Sequence, residues 1–298
     1  MSRIRPFIGN DLIKVLTGIR RSGKSVMLEL IKDELRASGE KDAQFIGFNF
    51  EDMTNARLCT ATALHDEIKK RMAEIEGKAY LFFDEIQEVD QWETCITSLR
   101  VEHDCDIYIT GSNAKLLSGE LATYLAGRYV EFIIYPFSFS EFLELYGQTV
   151  PGTTNQEAFT KYLTFGGMPY LGVLRYEEEP CRQYLQDVYN SVELKDIVKR
   201  NSVRDVDLLE RIIDYISVNV GMTFSASSIS KYFKSENRVA ATETILNYIK
   251  YCTDAFLFYR VQRQDLQGKK ILTVNEKYYL ADHGIREDLV AGEGELAH

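Results

Sequence analysis

No run of eighteen apolar residues occurs in this 298-residue chain, so no segment reads as a membrane span. The opening MSRIRPFIGN has arginines but no apolar stretch behind them, which removes a secretory signal from the reading. Cysteine is sparse and scattered. Cys59, Cys95, Cys105, Cys181 and Cys252 form no CxxC pair, and the four histidines do not cluster with them. Neither a disulfide framework nor a zinc site follows from such spacing, and reduced, buried thiols in a cytoplasmic protein are expected. Net positive charge is also missing: the formal charge is −10, which argues against a chain-wide nucleic-acid surface. Only residues 222–277 run the other way, with 9 basic and 5 acidic residues, against 17 and 22 in 1–140, 8 and 13 in 141–221, and 1 and 5 in 278–298.

What is present is an ordinary globular mixture, 45% apolar and 27% charged, long enough for two or three compact domains. Its sharpest signal is LIKVLTGIRRSGKSVMLELIKDEL. An apolar strand over 12–16 leads into Gly18, Ile19, Arg20, Arg21, Ser22, Gly23, Lys24 and Ser25, which fit GxxxxGK[ST]. A helix follows, with Val26, Met27, Leu30, Ile31 and Leu35 at helical spacing. Residue frequencies give such a match by chance about once per hundred chains of this length. The chemistry follows from the residue types. Glycines let backbone N–H groups converge on an anion at a helix N-terminus. Lys24 is expected at the β- and γ-phosphates, Ser25 at Mg²⁺, and Val26 in the first helical turn beside them.

KAYLFFDEIQEVDQWE supplies a second signal. An apolar strand over 79–83 ends in Asp84 and Glu85, placing Asp84 as a metal ligand and Glu85 as the general base toward an attacking water. A third buried strand over 106–110 puts Thr110, Ser112 and Asn113 at its polar end, facing the terminal phosphate. A helix over about 114–125, then Gly127 and Arg128, precedes a strand over 129–135. Arg128 there would lie at a subunit edge in a homo-oligomer, reaching a neighbour's nucleotide; the plainer reading is a surface arginine beside Glu131.

With GIRRSGKS, LFFDEIQ, ITGSNAKLLS, LAGR, YPFSFSEFL and FGGMP in place, nearly the whole chain resembles the AAA-type ATPases of bacteria and archaea that join an ATPase domain to a C-terminal domain of unknown function, relatives of the STAND and origin-recognition groups. The resemblance implies ATP and ADP as ligands, Arg128 as an arginine finger, Ser112 or Asn113 as the sensor residue, and the Gly167-Met168-Pro169 turn, through Pro169, as a nucleotide contact. Adenine over guanine rests on the same resemblance, since no NKxD-like motif occurs. No second sensor arginine matches. Members of this family run on past the KYYLADHGIR segment into a nuclease-like region, whereas this chain stops at His298, so a short or truncated member is expected and nuclease activity is not carried over.

Beyond PGTTNQ the pattern turns helical. The tract VELKDIVKR reads as a solvated helix face, with a sensor as the alternative. A helix over 208–220, FSASSISKYF with Ser225 or Ser227 as cap, a third helix, and two strands around a turn at 265–268 follow in the order of a winged helix. Arg238, Lys250, Arg260, Arg263, Lys269, Lys270 and Lys277, with Tyr248 and Tyr251, are its candidate contacts to double-stranded DNA; docking onto protein is the rival use. The expected architecture is therefore α/β: a P-loop NTPase core of ASCE or AAA type over 1–150, a parallel sheet with helices on both faces; a helical lid over 151–204; a winged helix over 205–283; and an acidic tail over 284–298. Three activities fit: a DNA-associated ATPase, a STAND-like switch acting through protein contacts, and a nucleotide-binding scaffold with negligible turnover.

Overall fold

The computed structural model describes residues 1–117, 127–236, 238–264 and 271–285, without the side chains of 115, 117, 263–264 and 271–275. Two compact units emerge: Met1–Gly18 with Gly23–Ile134, and Ile19–Ser22 with the chain from Tyr135 onward.

In the first unit, five strands rich in β-branched and aromatic residues form a parallel sheet. They are β1 (Ile13–Thr17), β2 (Phe45–Asn49), β3 (Ala79–Asp84), β4 (Cys105–Gly111) and β5 (Tyr129–Ile133), in the order β2-β3-β4-β1-β5. β1, β3 and β4 are buried along their whole length, as strands covered on both faces must be. The pleat sorts their residues into two cores. Ile13, Val15, Leu81, Phe83, Ile107 and Ile109 pack with α2 (Ala61–Met72) and α3 (Trp92–Glu102). Leu16, Tyr80, Phe82, Tyr108 and Phe132 pack with α1 (Lys24–Ala37). Helices therefore cover both faces, and each fully buried Leu, Ile or Phe contributes on the order of 1.5–3 kcal/mol.

The stripe of α1 differs from the expected one. Leu28, Ile31 and Leu35 are buried, whereas Val26 and Leu30 are 62% and 42% exposed. Spacings of three and four residues also occur between the exposed positions, so spacing alone does not select the face. Two further departures concern extent. β5 ends at Ile133 rather than at 135, and of the helix expected over 114–125 the described part, Ala114–Leu117, is a 3₁₀ turn, with 118–126 outside the described residues. At the amino ends of the strands Lys14 and Asp106, both fully buried, pair at 2.5 Å, and Asp106 also accepts from the Gly9 amide and the Tyr108 hydroxyl. Burial pushes the Lys14 ammonium below its ordinary pKa, against the pull of Asp106.

The second unit opens with α4 (Phe139–Thr149) and α5 (Asn155–Phe165), each started by a reciprocal capping box, Ser138 with Glu141 and Thr154 with Glu157. A 3₁₀ turn (Pro169–Gly172) and α6 (Glu178–Ser191) follow, and α6 runs on into a π-helical segment, Val192–Lys199. Then come α7 (Val206–Val218), β6 (Thr223–Phe224), α8 (Ala226–Ser235), α9 (Thr242–Asp254), β7 (Phe258–Gln264) and β8 (Ile271–Leu280). The three strands form an antiparallel sheet of order β6-β8-β7, with a bulge between Val261 and Arg263. Ser225 caps α8 through the Ser228 amide. The turn expected at 265–268, Lys269, Lys270 and the acidic tail from 286 lie outside the described residues.

VELKDIVKR is solvated on one side only. Leu194, Lys195 and Lys199 are exposed, whereas Glu193 and Asp196 are 6% and 1% exposed, Asp196 against Arg20. The glycines of FGGMP also have a local reason. The Gly167 amide donates to the buried Asp282 carboxylate at 2.7 Å, and its carbonyl accepts from the Phe137 amide at 2.7 Å. A Cβ on Gly167 would lie 2.1 Å from the Phe137 carbonyl oxygen, so no larger residue fits.

Candidate functional site

All but one of the first unit's candidate residues stand at or just past the carboxyl end of a strand. β1 runs into Gly18, whose φ of 140° suits only glycine, and the loop closes at Gly23, φ 100°, the N-cap of α1. Gly23 has no side chain to cap the helix, and no side-chain cap bond is made, so the first-turn N–H groups of a 14-residue helix point outward as an anion cradle. Ser25 and Val26 are exposed there, and Lys24 is 4% exposed. The Lys24 ammonium donates to the Gly18 carbonyl at 3.1 Å and stands 3.7 Å from Glu85 Oε1.

β3 delivers the acidic pair. Asp84 closes the strand and Glu85 turns away from it in the left-handed region, φ 54°, a conformation a non-glycine residue adopts only when held. Thr110 on the adjacent β4 holds it. Its hydroxyl donates to Asp84 Oδ1 at 2.5 Å and accepts from the Glu85 amide at 2.9 Å. Asn49, ending β2, donates to Asp84 Oδ2 at 3.4 Å. Gln87 donates to Glu85 Oε2 at 2.5 Å, and a Cβ on Gly111 would lie 2.8 Å from the Gln87 side-chain oxygen, so the glycine of ITGS makes room for this contact. Ser112 and Asn113, 0% and 1% exposed, follow β4 directly.

This arrangement brings together Gly18, Gly23, Lys24, Ser25, Asp84, Glu85, Thr110, Ser112 and Asn113 at one end of the sheet. Arg128 is elsewhere. Exposed at the start of β5, it gives its carbonyl to the Ile13 amide at the amino end of β1, about 15 Å from the loop by strand rise. Ile19, Arg20, Arg21 and Ser22 group with the second unit; Arg21 is exposed at φ 68°, and Arg20 forks onto Asp196. Pro169, half buried, begins the 3₁₀ turn of the second unit. Residue-type reasoning did not single out Asn49, Gln87 or Asp196. Gln87 was visible in DEIQ as a polar residue two positions past the base. Asp196 carried no signal, since its partner is 176 positions away.

The residues fit a magnesium nucleotide. A serine hydroxyl and one carboxylate are the hard oxygen donors Mg²⁺ takes alongside phosphates, and Thr110 already orients the carboxylate. Among the described residues, no cluster of three His, Cys, Asp or Glu side chains could hold a metal by itself, and no helix is long and apolar enough to cross a membrane.

Sheet order, glycine loop and acidic strand end together define an AAA-type P-loop domain, the fold of P-loop ATPases. Residues 10–143 match the AAA domain family, and residues 156–294 match a domain of unknown function, DUF8612. The chain is 36% identical over 294 residues to an uncharacterized protein of Haemophilus influenzae, covering 99% of this chain and 73% of that one. It is 31% identical over 268 residues to the uncharacterized protein MJ1544 of Methanocaldococcus jannaschii, covering 87% of this chain but only 58% of that one. The Walker-type ATPase PABY2304 of Pyrococcus abyssi shares the fold, with a TM-score of 0.68 over 97% of this chain and 94% of that one at 14% identity. The chain belongs to the family of the Haemophilus influenzae protein.

Proposed function

We propose that the chain binds ATP with Mg²⁺, hydrolyses it, and uses its nucleotide state to reset its C-terminal module. The observation that carries the reading is the uncapped N-terminus of α1 with Lys24 buried beside it and Asp84 and Glu85 facing the same strand ends. In this reading Lys24 and the loop amides hold the phosphates, Ser25 and Asp84 hold the metal, and Ser112 and Asn113 face the terminal phosphate. The metal supplies charge neutralisation on the phosphate oxygens. Glu85 orients the attacking water and accepts its proton. Arg128, remote from its own loop, acts on a neighbour's nucleotide in a homo-oligomer, and Pro169 serves as a further contact.

The helix, strand, helix, helix, strand, strand order over 206–280 supports reading that module as a winged helix, with 151–204 as a helical lid. One set of observations favours a protein partner over duplex DNA. Arg238 forks onto Asp205 at 3.0 Å and also pairs with Asp207; Arg260 stands 3.6 Å from Glu276. Tyr248 is buried, 7% exposed, and so gives no ring to a nucleic acid, whereas Val239 and Leu246 are 92% and 54% exposed. Of the seven basic residues expected on DNA, Lys250, Arg260 and Lys277 are exposed among the described side chains, and Arg260 is the one of these three that stands beside a carboxylate, Glu276.

Equilibrium binding of a fluorescent ATP analogue tests the nucleotide reading. Wild type should bind in the presence of Mg²⁺, and Lys24→Ala should lose binding by a factor of about a hundred or more; equal affinity in the two overturns the loop's assignment. Titration with random duplex DNA at low and high salt tests the partner, and steeply salt-dependent binding would return the module to DNA.

A further inference from the structure

One side chain of the phosphate loop, Arg20, has its partner 176 positions along the chain. Arg20, 8% exposed, donates from Nε to Asp196 Oδ2 at 3.0 Å and from Nη2 to Asp196 Oδ1 at 3.3 Å. The second guanidinium, Arg200, stands 3.7 Å from the same Oδ1, one helical turn on. A carboxylate 1% exposed thus sits between two arginines. It is carried by Val192–Lys199, where the helix that began at Glu178 widens to π geometry before Arg200.

Two physical arguments take this beyond a stabilising pair. A buried ion pair returns little net stability, since desolvation offsets most of the attraction, so its consequence is conformational: it specifies where the two groups lie. And π-helical turns are rare and frequently found at functional sites. What the pair specifies is the loop. Arg20 and Arg21, the latter in the left-handed region, are the two central residues of the turn that the Ser22 amide closes onto the Ile19 carbonyl at 3.2 Å, directly after Gly18. Fixing the Arg20 guanidinium with a bidentate fork fixes the peptides on either side of it, and those peptides belong to the anion cradle.

We propose that Asp196 is a remote positioning residue of the nucleotide site, and that the π-helical segment it sits on is the element through which bound nucleotide is felt in the second unit. This rests on the ATP-binding reading above. Coupling of this kind is reciprocal: if Asp196 sets the loop's affinity, nucleotide on the loop must alter the segment's stability by the same factor.

The test uses the full chain with Asp196→Asn, with the paired change Arg20→Met and Asp196→Leu, which strands no buried charge, and with the conservative Asp196→Glu. Fluorescent-ATP affinity and hydrogen exchange over Val192–Lys199, with and without Mg-ATP, are the readouts. Wild type should bind and show nucleotide-dependent protection of the segment. Asp196→Asn and the paired variant should bind about tenfold or more weakly, with exchange in the segment indifferent to nucleotide, and Asp196→Glu should recover part of both. A merely structural pair would lower melting temperature without moving the nucleotide dependence, so a folded paired variant with wild-type affinity and wild-type protection overturns the proposal. So does a wild type that binds ATP while its segment is unaffected. A wild type that binds no ATP fails earlier, and takes the nucleotide reading down with the inference.

Discussion

Thr110 shows how one hydroxyl sets two neighbouring acidic residues of the proposed site. By donating to Asp84 and accepting from the Glu85 amide it fixes the Asp84 carboxylate and holds the next residue in a left-handed conformation that turns it away from the strand. Thr110→Val keeps the shape and removes both bonds, leaving a buried carboxylate oxygen and a buried amide without that partner, a cost of roughly 1–3 kcal/mol. The expected outcome is a modest loss of stability and unchanged ATP affinity within a few-fold, but turnover reduced by about tenfold or more, because the loss falls on the orientation of Glu85 rather than on phosphate binding. Parallel measurement of affinity and turnover checks this, and equal effects on both would contradict it.

At the scale of elements, the π-helical segment makes a second prediction. Burial, reinforced by Glu210 and Asp214, pushes the Glu193 carboxyl up to about 7, and its Oε1 has no hydrogen-bond partner among the described residues. At pH 4 the group is protonated in folded and unfolded chains alike, so Glu193→Gln should change little. As pH rises past about 4.3 the unfolded chain ionises while the fold keeps its proton, and wild-type stability falls until about pH 7. Glu193→Gln should therefore stabilise at pH 8, by on the order of 3–4 kcal/mol at most. Melting temperatures at pH 4 and pH 8 check the sign; an equal shift at both would contradict it. The same segment shows where sequence reading stops. β1, β3 and β4 were legible because strands buried on both faces read as continuous apolar runs, and the loop was legible because its glycines and lysine are contiguous. β2, a five-residue run of mixed burial, carries no such signal. The burial of Asp196 could not be read either, because VELKDIVKR has the charge pattern of a wet helix face until Arg20 arrives from 176 positions away. Within the site, Lys24, Asp84 and Glu85 were readable from type and spacing, whereas the contact of Thr110 depends on strand register and that of Gln87 on the tight turn Ile86–Glu88 after β3.

For the whole molecule, the distance between Arg128 and its own loop makes the proposed arginine finger a statement about assembly. If Arg128 acts across a subunit boundary, Arg128→Ala and Glu85→Gln should each be inactive alone, yet mixing the two should restore part of the turnover, since some interfaces then pair an intact Arg128 with an intact Glu85. Additive inactivity on mixing would return Arg128 to the role of a surface arginine. The central claim, that this chain hydrolyses ATP through Glu85 with Mg²⁺, is tested most directly by steady-state phosphate release from ATP by wild type and Glu85→Gln, with Mg²⁺ and with a chelator. The account predicts turnover by wild type that needs Mg²⁺, and a Glu85→Gln variant that still binds ATP but turns it over roughly a hundredfold or more slowly. Wild-type turnover in Glu85→Gln, or none in a wild type that binds Mg-ATP, would contradict it.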